Sequence, residues 1–431
     1  MAHSQIVLAR PTESSSLYLW SALIAVAMCF FGGFFGFDAL PPIADLLSKQ
    51  LHFSDSNIGM IQAAYSFPTI VTLIIGGVVT DRIGVRRSLL LFTLILFLGA
   101  VITTLSSRLW IMVSGRLLFG MGAESMNVAL LVAIARWFRG KQVSFAFGLM
   151  LGAGRVGGFM ALNAPSWAHA AFTYWRYPLL IVAAVSAMSV TGAIIYWILE
   201  ANAERKHSLG AVNSSERIVV RDLFQFGTSY WYIVGLCVVF YSAVYPFQTF
   251  AVKFFMDVHG TSRELGSFIT SLLTLFAIIA TPLFGLLVDR VGRRPLFMMY
   301  GSLLLVPVYL IMGYTHINLF VPMGMMGIAV ALIPAVMWQS VGYVVGQAKL
   351  GTAYGLMTML ENSGLFALNL LIGWANDHGH AGTLHPEGYV LGMQMFSVLG
   401  LIAVLLAFLL RRREVTRSGS GLKTITTAAR G

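Results

Sequence analysis

GVVTDRIGVRR, Gly77 to Arg87, and GLLVDRVGRRP, Gly285 to Pro295, are two copies of one short charged pattern set 208 positions apart in an otherwise apolar chain. Each copy places a glycine four residues before Asp-Arg, then a second glycine, then paired arginines, where a long hydrophobic run ends. In 431 residues that spacing reads as two homologous halves. Duplication on this scale, in a chain this apolar, points to a secondary transporter.

Hydrophobic residues make up 58% of the chain and charged residues 10%, with a mean hydropathy of +0.80. A soluble domain carries roughly a quarter charged residues, so a water-soluble fold is excluded. The length leaves room for about a dozen spans of roughly 20 residues joined by short loops. The 43 glycines suit helices that pack closely in lipid. A net charge of +11 would suit nucleic acid, but the basic residues fall in short loops between apolar runs, which is a topology signal and implies no nucleic-acid partner. Cys29 and Cys237 lie inside apolar runs without metal-ligand spacing, so neither a disulfide nor a metal is expected. His378, His380 and His385 cluster in one loop without cysteines or tight helical spacing and read as solvated. The chain has no Walker A loop, and no cofactor is expected.

Apolar runs predict helices over 17–40, 56–80, 88–107, 109–136, 142–166, 173–199, 229–256, 265–288, 295–315, 317–346, 350–376 and 388–410. The first run is too long for a signal-peptide core and reads as the first span. Glu200 to Asp222 is the long polar stretch, and it divides the spans six and six. The expected domains are an N-terminal half over 1–204, a cytoplasmic linker over 205–226 and a C-terminal half over 227–431. With both termini cytoplasmic, 21 of the 28 lysines and arginines fall on the cytoplasmic side, against only Lys49, Arg108, Arg176 and Arg263 outside. The expected fold class is thus all-α: twelve transmembrane helices in two pseudo-symmetric six-helix halves, both termini inside.

Asp81, Arg82, Gly84, Arg86 and Arg87 follow the second predicted helix, and Asp289, Arg290, Gly292 and Arg293 follow the eighth. A tight turn needs glycine where the backbone bends sharply. An aspartate at a helix end can bond nearby amide N–H groups and arginines. Topogenic charge alone is the plain reading, but it does not require one pattern at matched points of two halves. The pattern resembles the loop motif of the major facilitator superfamily, which implies that the aspartates latch cytoplasmic helix ends in one access state. Four further stretches are FGMGAESMNVA (Phe119–Ala129), ARWFRGKQVSFAFGLMLGAGRVGG (Ala135–Gly158), FYSAVYPFQTFAVKFF (Phe240–Phe255) and LGTAYGLMTMLENSGL (Leu350–Leu365). They are similar to the dipeptide-transporting branch of that superfamily and touch both halves.

Ionisable residues at mid-bilayer are costly and are functional candidates by default. Glu124 lies 12 residues before Arg136 and Glu361 lies 12 after Lys349, each roughly 18 Å deep at about 1.5 Å per helical residue. Arg155 lies 14 residues after Lys141, roughly 21 Å deep by the same rise. Glu124 and Arg155 could pair with each other, but a buried ion pair is weak evidence of stability. They could instead hold a zwitterion, Glu124 on its ammonium and the planar Arg155 fork on its carboxylate. The resemblance implies this second role, with Glu124 and Arg155 at the peptide amino and carboxyl termini. Glu361 departs from the branch, which carries glutamine there. It could bind a cationic side chain, carry a coupling proton, since desolvation favours a neutral carboxyl, or sit protonated beside Asn362. Asn127, Tyr241 and Lys253 complete the candidate substrate set with Asn362. Tyr241 could equally pack, and Lys253 could equally snorkel to the interface. Asp38 and Arg116 are read as a structural pair.

The reading is a monomeric transporter, by alternating access, of a small zwitterion such as a dipeptide, with protons as a candidate coupling ion and lipid as its solvent. The rivals are a proton-coupled organic-anion or drug exporter of the same fold, and a non-transporting receptor or scaffold. An enzyme is not expected, since no nucleophile–base constellation is visible. No acidic dileucine signal precedes the first span, so a bacterial cytoplasmic membrane is expected before a lysosome.

Overall fold

A computed structural model describes residues 16–138, 142–206, 226–346 and 349–416. Arg10, Arg139, Lys141, residues 207–225 of the expected linker and the basic segment after 416 lie outside the described residues.

Among the described residues, twelve long helices form: α1 Ser16–Asp38, α2 Asp55–Ile83, α3 Val85–Leu105, α4 Leu109–Trp137, α5 Val143–Leu162, α6 Arg176–Lys206, α7 Thr228–His259, α8 Arg263–Val291, α9 Arg294–Tyr314, α10 Phe320–Val344, α11 Leu350–His378 and α12 Val390–Thr416. Eleven spans among the described residues are long and apolar enough to cross a membrane, and α2 matches them in length and packs in the same bundle. Helix is the natural solution, because a chain in lipid must satisfy its backbone groups within each segment. Large apolar side chains such as Ile24, Leu105, Ile279 and Leu283 remain exposed on the outside of the bundle, as a lipid-facing surface requires.

The repeat seen in sequence is present in the backbone. Ser54 caps α2 by accepting from the Asn57 N–H at 3.3 Å, and Ser262 caps α8 by accepting from the Leu265 N–H at 3.2 Å. The far ends of the same helices turn at Gly84 (φ 83°) and Gly292 (φ 68°), a left-handed region that side chains with a Cβ disfavour. Both charged loops thus turn on a positive-φ glycine, and the second adds a left-handed residue, Arg293 (φ 51°), before its next helix begins.

Predicted and observed spans coincide, with differences at polar ends. The fifth, expected to reach 166, stops at Leu162, because Asn163 ends it and Pro165 opens a separate short turn. The sixth runs on to Lys206 because Glu200 and Glu204 are held by arginines of its own half. A short helix, Ala44–Leu51, lies between α1 and α2 and was not expected.

One apolar core lies wholly within the first half, running from Ala22 to Ala203. The other fills the second half and continues into the first through Leu40, Leu47, Ile58, Phe172 and Trp175. These residues sit at the end of the bundle opposite the charged loops. The halves meet where α2 packs on α11 and α5 on α8. A Cβ on Gly59 would come within 2.3 Å of the Asn369 carbonyl, and one on Gly373 within 2.5 Å of the Asp55 carbonyl. Two glycines thus let α2 and α11 cross at backbone contact.

Candidate functional site

Between the halves lies a cavity of about 700 Å³, open solvent included. Phe34 and Phe37 of α1, Tyr65 of α2, Glu124 and Asn127 of α4 line it from one half. Tyr245 of α7 with Thr358, Glu361 and Asn362 of α11 line it from the other. Ordinary helical spacing produces this wall. Glu124 and Asn127 are three residues apart on one helix face, as are Thr358 and Glu361.

Two of the three mid-depth charges, Glu124 and Glu361, line this cavity, and the third, Arg155, stands behind its wall. The Tyr65 hydroxyl donates to Glu124 Oε1 at 2.7 Å. Arg155, half-buried on α5, donates through Nη1 to the Tyr245 hydroxyl at 3.4 Å and lies 5.8 Å from the Phe34 ring centre, so it touches two residues of the wall. The Cys237 thiol lies 3.8 Å from Glu361 Oε2. Among the described residues, no ion pair joins Glu124, Arg155 or Glu361 to one another or to any other group. The simple Glu124–Arg155 pair is therefore not formed, and each charge keeps a face for something else. Asn362 donates to the Thr358 carbonyl at 3.0 Å, while its helix neighbour Glu361 points at the cavity.

A sequence model of the Major Facilitator Superfamily matches residues 26–262 and 234–428. The chain belongs to the Major Facilitator Superfamily. It is a multi-pass membrane transporter and not an enzyme. It is similar to the lysosomal dipeptide transporter MFSD1 of Danio rerio, 28% identical over 90% of this chain and 86% of that protein. The lysosomal dipeptide transporter MFSD1 of Homo sapiens is 28% identical over 91% and 86%. A bacterial homologue of the human lysosomal transporter Spinster, solved inward-facing and unoccupied, shares the fold with a TM-score of 0.75 at 17% identity, covering 93% of this chain and 98% of that one.

Several expected site residues of this superfamily member stand elsewhere. Tyr241 is one turn behind the wall: it stacks on Tyr245 with ring centres 5.6 Å apart, and its hydroxyl accepts from Trp338 Nε1 at 3.0 Å. Tyr245 and Tyr65, which line the cavity, were missed. Tyr245 could have been found, since it lies four residues from Tyr241 on the same helical face. Lys253 neither lines the cavity nor snorkels; it is buried and paired with Asp55 of the other half. Asp38 and Arg116 do not pair. Arg116 is drawn to the Gly36 carbonyl and Gln62 Oε1, both at 2.7 Å, and Asp38 accepts from Gln248 Nε2 at 2.9 Å across the halves.

The ends of the bundle differ. At the end away from the charged loops, Asp55 receives Lys253 and, at 2.9 Å, Asn376 Nδ2. Asp377 accepts the Asp55 and Ser56 backbone N–H groups at 2.8 and 2.9 Å. Arg263 grips Asp45 with Nε at 3.0 Å and Nη2 at 2.6 Å and the Phe172 carbonyl at 3.1 Å. All of these cross from one half to the other. At the loop end, the ion pairs among the described residues stay within one half. Arg86 meets Glu204 at 2.8 Å, and Arg136 meets Glu200 and, at 3.0 Å, Glu204. In the second copy, Arg294 rather than Arg293 engages Asp289, at 2.9 Å, and lies 4.3 Å from the Tyr343 ring centre. Arg293 occupies the left-handed turn position (φ 51°). Arg82, Arg87, Arg290 and Arg293 are exposed.

Proposed function

We propose that the chain moves dipeptides across a membrane by alternating access, binding them in the cavity between α1, α4, α7 and α11. The observation that carries this reading is a cavity lined by Glu124 and Glu361 from opposite halves, with Arg155 against its wall residues Tyr245 and Phe34 and no ion pair among the three. A buried charge is expensive alone. A zwitterion brings the missing partners: its ammonium to Glu124, its carboxylate to the Arg155 fork. The similarity to proteins named dipeptide transporters supports the same assignment.

Residues 1–204 and 227–431 act as the two moving halves in this proposal, joined by 205–226. With the charged loops and both termini cytoplasmic, the laced end faces outward and the cavity communicates inward. The charge asymmetry of the loops favours that orientation, and a bacterial cytoplasmic membrane fits it. Asp81, Arg82, Gly84, Arg86 and Arg87 with Asp289, Arg290, Gly292 and Arg293 would exchange partners when the inner end closes.

The test is ligand binding by the purified protein, read as a rise in thermal midpoint, since a ligand of the folded state stabilises it by mass action. Free dipeptides should stabilise, while C-amidated and N-acetylated forms should not. Arg155→Lys should lose about 1.5–3 kcal/mol of binding, because an ammonium cannot reproduce two parallel hydrogen bonds to a carboxylate. Glu124→Gln should lose a similar amount on the amine side. Equal stabilisation by free and blocked dipeptides would remove both residues from the role. Liposome uptake with and without an inward proton gradient separates symport from uniport.

A further inference from the structure

Arg155 carries a permanent positive charge inside the bundle, and among the described residues it forms no ion pair. A guanidinium with no compensating charge is costly while the site is empty and grips a carboxylate hard once it is full. Asp38 of α1 supplies the compensation. Phe34 and Asp38 stand four residues apart on one face of α1, and Arg155 and Gly158 stand three apart on one face of α5. These faces pack together: Arg155 lies 5.8 Å from the Phe34 ring centre, and a Cβ on Gly158 would come within 2.1 Å of Asp38 Oδ2. Glycine at 158 therefore makes the room in which a carboxylate rests one helical turn from the guanidinium. The other oxygen, Oδ1, accepts from Gln248 Nε2 of the second half at 2.9 Å. Asp38 and Arg155 lie within reach of each other's charge, and Asp38 feels Arg155 more strongly than Arg116. Arg116 gives its Nη donors to the Gly36 and Phe37 carbonyls and to Gln62. Asp38 is not part of the cavity wall, so a bound solute leaves it in place.

We propose that Asp38 is a positioning residue whose carboxylate, seated over Gly158, sets how tightly Arg155 grips the carboxylate of the substrate. The proposal rests on the reading that Arg155 binds that group. Asp38 steadies the guanidinium while the site is empty. It opposes the incoming carboxylate once the site is full, because two anions then share one cation. The result is a site that binds moderately and releases fast. Loss of the Asp38 charge should tighten binding, whereas damage to the fold would weaken it.

The experiment titrates alanyl-alanine and its C-terminal amide against the full-length protein, the parent beside Asp38→Asn. Alanyl-alanine should bind on the order of tenfold more tightly to Asp38→Asn, the size of one charge–charge term at partly screened range. The amide should gain nothing. In liposomes, KM and maximal uptake rate of alanyl-alanine should fall together, because the added affinity appears as slower release. In an Arg155→Gln background, Asp38→Asn should make no difference, since the effect runs through the guanidinium. Unchanged or weaker binding in Asp38→Asn overturns the proposal, as does an equal gain by the amide or a gain that survives Arg155→Gln. If Asp38→Asn does not fold, Gly158→Ala decides: it keeps the charge and pushes the carboxylate off α5, so it should tighten alanyl-alanine binding too, and no gain there overturns the proposal. If the parent tells the free dipeptide from its amide and the variants gain nothing, only the Asp38 assignment fails. If the parent binds both alike, the reading of Arg155 fails and takes this proposal with it.

Discussion

The two ends of this bundle use the same chemistry in opposite ways. At one end, Asp45, Asp55 and Asp377 bond groups of the opposite half, and an apolar core runs across the boundary with them. At the other end, Glu200, Glu204 and Asp289 hold arginines of their own half. A charged pair at a bundle end therefore says little until its partners are known. Pairs that cross hold a cavity shut at that end, whereas pairs that stay home keep each half rigid while it moves. Alternating access needs both kinds, because the halves must separate at one end without coming apart themselves.

The sharpest way to break this comparison is to cut the crossing pair with the least access to water. Asp55 is 2% exposed, and Lys253→Met leaves its carboxylate with only Asn376 and a neighbouring like charge at Asp377. Removing one partner of a buried pair costs about 3–5 kcal/mol. Here the cost falls on the closed arrangement, so the laced end should open. Spin labels at Ser107 and Ile317, on exposed loops of opposite halves at that end, should report a longer distance in Lys253→Met than in the parent. An unchanged distance with a lowered thermal midpoint would make the pair a stabiliser without a gating role.

A weaker cut at the loop end sharpens the same comparison. Glu200 is 1% exposed and leans on Arg136. Arg136→Gln leaves that carboxylate short of its donor, at about 1–3 kcal/mol. Because the pair lies within the first half, the loss should appear in the thermal midpoint, while the label distance at the laced end stays as in the parent. A lengthened distance there would show that the first half transmits strain along its whole length.

Much of this arrangement was legible in the chain, and the gaps have a common cause. Apolar runs located every span, because a lipid-crossing segment must be long and apolar whatever its partners. Counting residues along a helix gave Glu124, Arg155 and Glu361 one depth; Glu124 and Glu361 line one cavity, and Arg155 touches two residues of its wall. A depth counted only to within a turn does not separate Tyr241 from Tyr245, which lies one turn away on the same face and lines the cavity. Partner choice was the larger blind spot. Lys253 and Asp55 are 198 positions apart, and Arg263 and Asp45 are 218 apart. No local pattern marks such pairs, and Asp45 and Asp55 sit beside a loop, where a carboxylate looks merely solvated. Arg116 shows the opposite error. A buried arginine invites a search for a carboxylate, but backbone carbonyls and an amide take its Nη donors instead.

The smallest expected effect belongs to Arg86, and its size follows from its setting. Arg86 and its counterpart Arg294 occupy the same place in the two charged loops, and each lies against an aromatic ring, Trp197 at 5.6 Å and Tyr343 at 4.3 Å. Arg294 is 1% exposed, whereas Arg86 and its partner Glu204 are 29% and 37% exposed. Water competes for the Arg86 pair, so Arg86→Ala should cost only about 0.2–1 kcal/mol. The loss should shrink as ionic strength rises from low to physiological, because an exposed pair is screened over a distance of about 8–10 Å. Glu204 keeps Arg136 in the variant, which limits the loss further. The label distance at the laced end should not move. A salt-independent loss, or a shift of that distance, would mean that this loop already carries conformational coupling in the state seen here, and the division between pairs that cross and pairs that stay home would have to be redrawn around Arg86.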